Sequence, residues 1–270
     1  MVITPPTVVS APEPRGLRYG LLTAAIGPLP LPDHGRAGGI TYEPVSCGFA
    51  RYYPTLCHTD IRIGEKEFDP QDGWIEQDAF VVYATLLCGA AGNTPASLEA
   101  KVRRRHANGE QTIVEQGMAT VLAAGVLAAG TTLIPPGITL ADTIGELEQW
   151  LYGADTTAPA DANYGNVGYL HASPRLAALA MEEDLIVPDG PLLRTRMGTV
   201  WSFGGGYPDD GTIYISGSVA VWRSQDVVVP PITQTFNQGT NQNYVLAERE
   251  YVVSYDCVVA SAIYNWGVPT

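Results

Sequence analysis

The chain has 270 residues, 46% of them apolar, with 28 acidic against 15 basic side chains and a formal charge of −13. That length can bury a sizeable core in one large domain or two modest ones, and the apolar share excludes a disordered chain. The acidic balance excludes a protein that wraps nucleic acid, because each phosphate contact needs a cation to replace condensed counterions.

Residues 1–44 carry Pro5, Pro6, Pro12, Pro14, Pro28, Pro30, Pro32 and Pro44, with Gly38-Gly39. Proline at this density opposes helix and prefers extended chain, so the segment reads as an arm that lies on another surface. Its patch at 21–26 can dock on a neighbour or on the chain's own core. Residues 1–10 lack the basic start and apolar core of a signal peptide. Next, 45–56 reads as a strand, 58–73 as a charged, turn-rich tip, and Trp74-Ile75 as the return of a long hairpin. Arms of about 15 residues at ~3.4 Å each make a finger of roughly 50 Å, too long to pack on its own domain.

The run Ala79-Phe-Val-Val-Tyr-Ala-Thr-Leu-Leu-Cys88 is continuously apolar and predicts a buried strand. Residues 94–122 then hold a sustained helical period, with Thr94 as N-cap and Pro95 at the first helical position. Steps of about 100° place Leu98, Val102, His106, Ile113 and Val114 on the buried face and Lys101, Arg104, Asn108 and Glu115 opposite. Gly109 and Gly117 interrupt any heptad, so the helix predicts a spine on which strands are laid, not a coiled coil. The uncharged stretch 117–141 is long enough to raise the question of a membrane span; Pro135-Pro136 and its glycines predict a helix end followed by a strand. Further on, 139–152 reads as a helix, 164–171 as a strand, and 173–184 as a helix with Pro174 at its first position. Strands follow at 199–203, 212–216, 218–223 and 226–229, and 244–264 returns to pair near the spine.

No constellation for catalysis emerges. The chain has no phosphate-binding G-x-x-x-x-G-K-[ST], no G-x-S-x-G elbow and no H-E-x-x-H, and Gly204-Gly205-Gly206 reads as a turn between strands. Cys47, Cys57, Cys88 and Cys257 form no C-x-x-C pair and read as buried thiols. His106 and Glu110 stand four apart, but a third metal ligand is missing, so they read as a polar pair at the edge of the stripe. His171 has no neighbouring nucleophile or carboxylate in sequence and reads as a capping residue at a strand-to-helix junction. Arg103-Arg104-Arg105 suits phosphate, a neighbour's carboxylates, or a solvated face with Glu99 four residues before Arg103. The expectation is a non-enzyme without cofactor or metal.

Several strings carry a resemblance: Phe80-Val-Val-Tyr-Ala, Gly109-Glu-Gln-Thr-Ile-Val-Glu115, Leu170-His-Ala-Ser-Pro174, Leu193-Arg-Thr-Arg-Met-Gly198, Gly204-Gly-Gly-Tyr207, Tyr214-Ile-Ser-Gly-Ser-Val219 and Ala247-Glu-Arg-Glu-Tyr-Val-Val-Ser-Tyr-Asp-Cys257. Together with the order arm, hairpin, strand, spine helix, mixed lobe and returning strand, they resemble the major capsid protein of tailed bacteriophages, the Hong Kong 97 type, and in particular capsid proteins of actinobacterial phages. The resemblance implies an α+β fold with an N-terminal arm (1–44), an extended loop (45–78), a peripheral domain holding the spine helix (79–125 and 236–270) and an axial α/β domain (126–235). It leaves no room for a scaffolding domain before the arm.

What it implies for function is a shell subunit that assembles with itself into hexamers and pentamers of an icosahedral virion head, in the bacterial host cytoplasm. Such a shell encloses double-stranded DNA without reading its sequence, involves no membrane, and leaves room for a separate scaffolding protein, a portal and a decoration protein as partners. Candidates for intersubunit contact are Arg62, Lys66, Glu67, Phe68, Trp74, Arg103, Arg104 and Arg105; the spine-helix core is expected at Leu98, Val102, Ile113 and Val114. Some shells of the family are cross-linked through a lysine and an asparagine, for which Lys66 and Asn237, Asn241 or Asn243 are available. Glu65 and Glu67 favour the charged form of Lys66, so an uncrosslinked shell is expected. The alternatives are an encapsulin-like compartment shell with protein cargo and a head-to-tail connector or tail protein.

Overall fold

A computed structural model of the chain describes residues 18–32, 38–44, 74–89, 92–134, 139–153, 162–231 and 236–265. In chain order the elements are α1 (Leu21–Ala24), β1 (Ile26–Pro30), β2 (Ile40–Tyr42), β3 (Ile75–Gln77), β4 (Phe80–Gly89), α2 (Pro95–Ala129), β5 (Thr132–Leu133), α3 (Leu140–Tyr152), β6 (Tyr169–Ala172), α4 (Pro174–Glu182), β7 (Val187–Asp189), β8 (Leu192–Arg194), β9 (Val200–Phe203), β10 (Thr212–Ser216), β11 (Val219–Arg223), β12 (Phe236–Asn237), β13 (Gln242–Tyr255) and β14 (Val259–Ile263). One sheet has the order β5-β14-β10-β6-β9-β8-β7; a second runs β1-β11-β13-β12, with β4 also paired to β13; β2 and β3 form a two-stranded ladder.

The spine α2 starts where local chemistry directs it. Thr94 accepts from the Ser97 amide at 3.2 Å while Ser97 Oγ accepts from the Thr94 amide at 3.1 Å, and Pro95 opens the helix. It continues past the expected end at 122, because Ala123, Ala124, Ala128 and Ala129 favour helix, and stops where Gly130 adopts a left-handed φ of 68°. At ~1.5 Å per residue its 35 residues span about 52 Å. By length and composition α2 is apolar enough to cross a membrane. Its apolar row is instead packed on the two sheets, and the uncharged stretch divides into the end of α2, β5 and the start of α3.

Most buried positions of α2 lie on a row of every fourth residue, Leu98, Val102, His106, Val114, Met118, Leu122 and Val126, interrupted at the partly buried Glu110 and flanked by buried Glu115 and Ala119. Four residues advance by about 400°, so this row winds around the helix by ~40° per step instead of staying on one face. That corrects two expectations drawn from a fixed helical phase. Ile113, expected in the core, is 39% exposed, because the row has already turned past it at that height. Glu115, expected to face solvent, is fully buried, because α1 and the turn after β9 close over that side.

The winding row meets two surroundings. Leu98 and Val102 pack with Leu86, Val245 and Ala247 of the smaller sheet. From Val114 to Val126 the helix packs with Val82, Tyr251 and Val253 of that sheet and with Tyr169, Val200, Tyr214 and Val259 of the larger one. The larger sheet's other face, through Leu170, Trp201, Ile213 and Ala260, packs on Leu147 and Leu151 of α3 and Leu176 of α4. Gly117, which interrupts the heptad in sequence, has a packing reason: a Cβ there would lie 2.6 Å from the Phe80 ring.

The remaining differences follow from tertiary placement. β4 is not buried on both faces. It pairs only with β13 among the described strands, and its burial alternates, with Val82 and Leu86 inside and Val81, Tyr83 and Leu87 outside. The stretch expected as one returning strand is two. β13 belongs to the smaller sheet and β14 to the larger, and the chain switches sheets around Cys257 at a positive φ of 62°. Residues 226–229 contribute only a bridge, Val228 to Glu248. The β7–β8 hairpin had no strong alternation to announce it. Part of the proline-rich arm rests on the chain itself: Leu21 is fully buried and β1 pairs in parallel with β11. Ile40 pairs with Gln77 and Tyr42 with Ile75 in an antiparallel ladder, and the hairpin expected at 45–73 lies outside the described residues.

Candidate functional site

Of the candidate contact residues, Arg62, Lys66, Glu67 and Phe68 lie outside the described residues. Trp74, immediately before β3, is 64% exposed. The basic run on α2 divides between two flanks. Arg103 pairs with Glu99 at 2.9 Å and donates to the Val227 carbonyl at 2.9 Å, whereas Arg105 donates to the Thr85 carbonyl of β4 at 3.0 Å. Lys101 donates to Asn93 Oδ1 at 2.9 Å, and Arg104 is exposed. Of the asparagines considered for cross-linking, Asn237 caps its own turn through the Gly239 amide at 2.9 Å, Asn241 is exposed, and Asn243 is buried at 8% exposure.

Two carboxylates at mid-spine, Glu115 fully buried and Glu110 13% exposed at the edge where the sequence put it, tie the elements together, and the partners of neither were visible in sequence. Glu115 accepts from Gln111 Nε2 at 2.9 Å, the Gly206 amide at 3.2 Å and the Leu21 amide at 3.3 Å. Desolvation by burial raises its pKa above the ordinary carboxylate value, against the lowering effect of these three donors. The turn can approach only because residue 206 is glycine; a Cβ there would lie 2.4 Å from the Thr112 carbonyl oxygen. Glu110, one turn earlier, joins Arg249 at 3.3 Å, Arg223 at 3.5 Å and the Tyr251 hydroxyl. The spine is thereby bound by charge to β11 and β13 across their inner face.

A third polar group has the residue types of a catalytic relay. His171 is fully buried, with Nδ1 3.0 Å from Tyr207 Oη and Nε2 3.1 Å from Ser216 Oγ; Tyr207 Oη lies 3.0 Å from Ser202 Oγ. Ser216 Oγ donates to the Gly217 carbonyl, so it accepts from His171 Nε2–H, and Nδ1 is left to accept from Tyr207. Burial lowers the His171 pKa to about 3, which keeps the ring neutral. Ser202 and Ser216 are fully buried, so the chain of bonds has no substrate access and acts as a cross-sheet tie between β6, β9 and β10. His171 thus ties strands together instead of capping the junction.

Nothing in the described residues groups three or more His, Cys, Asp or Glu side chains as metal ligands. His106 Nε2 faces the Val82 carbonyl at 3.2 Å, and burial lowers its pKa. Cys88 is a free thiol, whereas Cys257 is disulfide-bonded, contrary to the expectation of four thiols; its partner lies outside the described residues. The larger surface features are open grooves. One of about 630 Å³ runs from Asp78 and Phe80 to Ile113 and Gly117 of α2; another of about 590 Å³ lies between Ile26, Tyr42 and Trp222.

No family model matches the sequence, and no curated protein matches it. Solved structures do. A chain from Microbacterium phage Oxtober96 superposes with a TM-score of 0.56 at 14% identity, covering 97% of this chain and 96% of that one. The capsid of an empty GTA particle gives 0.56 at 10% identity, covering 97% and 95%. The holo-SrpI encapsulin complex from Synechococcus elongatus PCC 7942 gives 0.53 at 12% identity, covering 96% and 92%.

Proposed function

From the Hong Kong 97-like capsid fold that this chain carries, we propose that it is the major capsid protein of a tailed double-stranded DNA bacteriophage, a structural and non-enzymatic tile that assembles with itself into hexamers and pentamers of an icosahedral head. The observation that carries this reading is likeness over almost the whole length, 97% of this chain and 96% of the other, to a chain from a phage, with a capsid of the same fold beside it. The division into arm (1–44), extended loop (45–78), peripheral domain (79–125 and 236–270) and axial domain (126–235) belongs to the same reading. So do intersubunit roles for Arg62, Lys66, Glu67, Phe68, Trp74 and Arg103, Arg104 and Arg105.

The physical support is that the chain leaves surface unused. Trp74, Tyr83 and Leu127 are exposed by 64, 67 and 85%, apolar surface available to a neighbouring subunit. The virion is then the location, the host cytoplasm the place of assembly, and packaged DNA, a portal, a scaffolding protein and a decoration protein the further partners. A second reading, a compartment shell with protein cargo, is supported by the likeness to the encapsulin complex. Electron microscopy of particles formed by the expressed chain tests both. Closed icosahedral shells are expected; rings or tubes would sink the shell reading. Co-expression with the neighbouring genes separates the two shells, since a capsid fills with DNA through a portal and a compartment retains a protein.

A further inference from the structure

The smaller sheet ends on an edge that no other described strand covers. β4 pairs with β13 through ten consecutive residue pairs, from Phe80 with Tyr251 to Gly89 with Gln242, with no bulge. Its sequence, Phe80-Val-Val-Tyr-Ala-Thr-Leu-Leu-Cys-Gly89, holds no proline and no charge. Edge strands are ordinarily blunted by proline, lysine, a bulge or brevity, and this one has none of these; the spine engages it only at the Thr85 and Val82 carbonyls, through Arg105 and His106. Val81, Tyr83 and Leu87 stand 49, 67 and 53% exposed on its outer face.

The spine gives this edge a charge. Arg103 reaches the Val227 carbonyl, beside Val228, which bridges Glu248 of β13, while Arg105 reaches Thr85 on β4. The helix therefore straddles the pair, and its other flank overhangs the open side of β4. There Lys101, Arg104, Arg105 and Asn108 line a shallow groove of about 240 Å³ together with Leu86. Four of the chain's 15 basic residues, Lys101 and Arg103 to Arg105, fall within five positions of a chain with net charge −13.

We propose that the open edge of β4 docks an extended acidic segment of a different protein, which adds as a strand to the sheet while its carboxylates lie under Lys101 and Arg104. Charge complementarity sets the chemistry. A second copy of this chain is disfavoured as the occupant for two reasons. Pairing β4 with β4 about a two-fold axis sets one basic flank against the other. The other edge strands among the described residues are also blunted: β7 is three residues with Pro188, β5 and β12 are two residues each, and β1 contains Pro28 and Pro30.

The site does not depend on the shell reading, so soluble subunits suffice for its test. A fluorescent peptide of about ten residues alternating glutamate and valine is titrated into the full chain, with hydrogen exchange followed along 80–89. Saturable binding is expected, weakening as salt rises, with slowed exchange in β4. Lys101→Glu with Arg104→Glu should weaken it at least about tenfold without shifting the melt, as both side chains are exposed. Should that pair not fold, Lys101→Ala with Arg104→Ala makes the same comparison. Unchanged affinity in the folded variant, equal affinity for a lysine–valine peptide, or binding without protection of β4 would overturn the proposal. So would tighter binding of oligodeoxythymidine, which makes the flank a phosphate site, or concentration-dependent self-association that by itself protects β4.

Discussion

The two large sheets are built from similar strands and end in different states. In the seven-stranded sheet β6 and β9 are buried at every position, because α3 and α4 cover one face and α2 the other. In the five-stranded sheet β4 is buried only at Val82 and Leu86, because the spine covers one face and the described chain leaves the other open. The first sheet is covered on both faces within one molecule. The second is half of a layered structure, with one face left open by the described residues.

The largest effect should come from the completed sheet. Trp201 is 1% exposed and stacks on Phe203 at 4.7 Å between ring centres, so Trp201→Ala should cost about 3–5 kcal/mol in urea unfolding of the soluble subunit. Tyr83→Ala on the open face should cost under ~0.5 kcal/mol in the same measurement and act instead on particle yield. Equal losses would mean that the open face is covered within the monomer.

Next in size is the tie between the sheet and its helix. Glu110→Ala leaves Arg249, 13% exposed, and Tyr251 without their shared carboxylate, and should cost about 2–4 kcal/mol. Adding Arg249→Met to Glu110→Ala should recover part of it; a further loss would show that the pair is additive and the tie unimportant.

The titrating groups act on opposite limbs of the stability–pH curve. The folded pKa of His171 is about 3 against an ordinary 6.5, so its stabilising effect is present above pH 6.5 and is lost as pH falls toward 3. The folded pKa of Glu115 is raised, so its contribution is present below the ordinary carboxylate value and is lost as pH rises through the folded value. His171→Gln should flatten the acid side of the stability–pH curve by ~1–3 kcal/mol, and Glu115→Gln the opposite limb. Parallel curves for all three proteins would remove both groups from the account.

What was legible in sequence was local chemistry. Thr94 with Pro95, and Pro174, mark helix starts, because a cap or a proline acts within one turn, and the Glu99–Arg103 ion pair was one of the alternatives that the spacing offered. What depends on distant chain was not legible. An apolar run such as 80–88 reads the same whether its second face meets its own domain or another molecule. Glu115 is hidden only because Leu21 and Gly206, 94 and 91 residues away, come to it. The basic run was visible, but its division between Val227 on one flank and Thr85 on the other required the sheet.

The smallest expected effect tests the winding of the spine. A fixed helical phase puts Ile113 beside Val102, and a large-to-small change there would then cost about 2–5 kcal/mol. The row of fourth residues puts Met118 at the core, fully buried, and leaves Ile113 39% exposed on the groove beside Phe80. Side chains that keep this much contact with water lose little on truncation, so Ile113→Ala should cost under ~1 kcal/mol while Met118→Ala costs about 2–5. Arg104→Ala, with no partner among the described residues, should fall below ~0.5 kcal/mol. A large loss from Ile113→Ala in the soluble subunit would mean that the row does not wind. A small loss there combined with failure to form particles would instead place Ile113 in a contact between subunits.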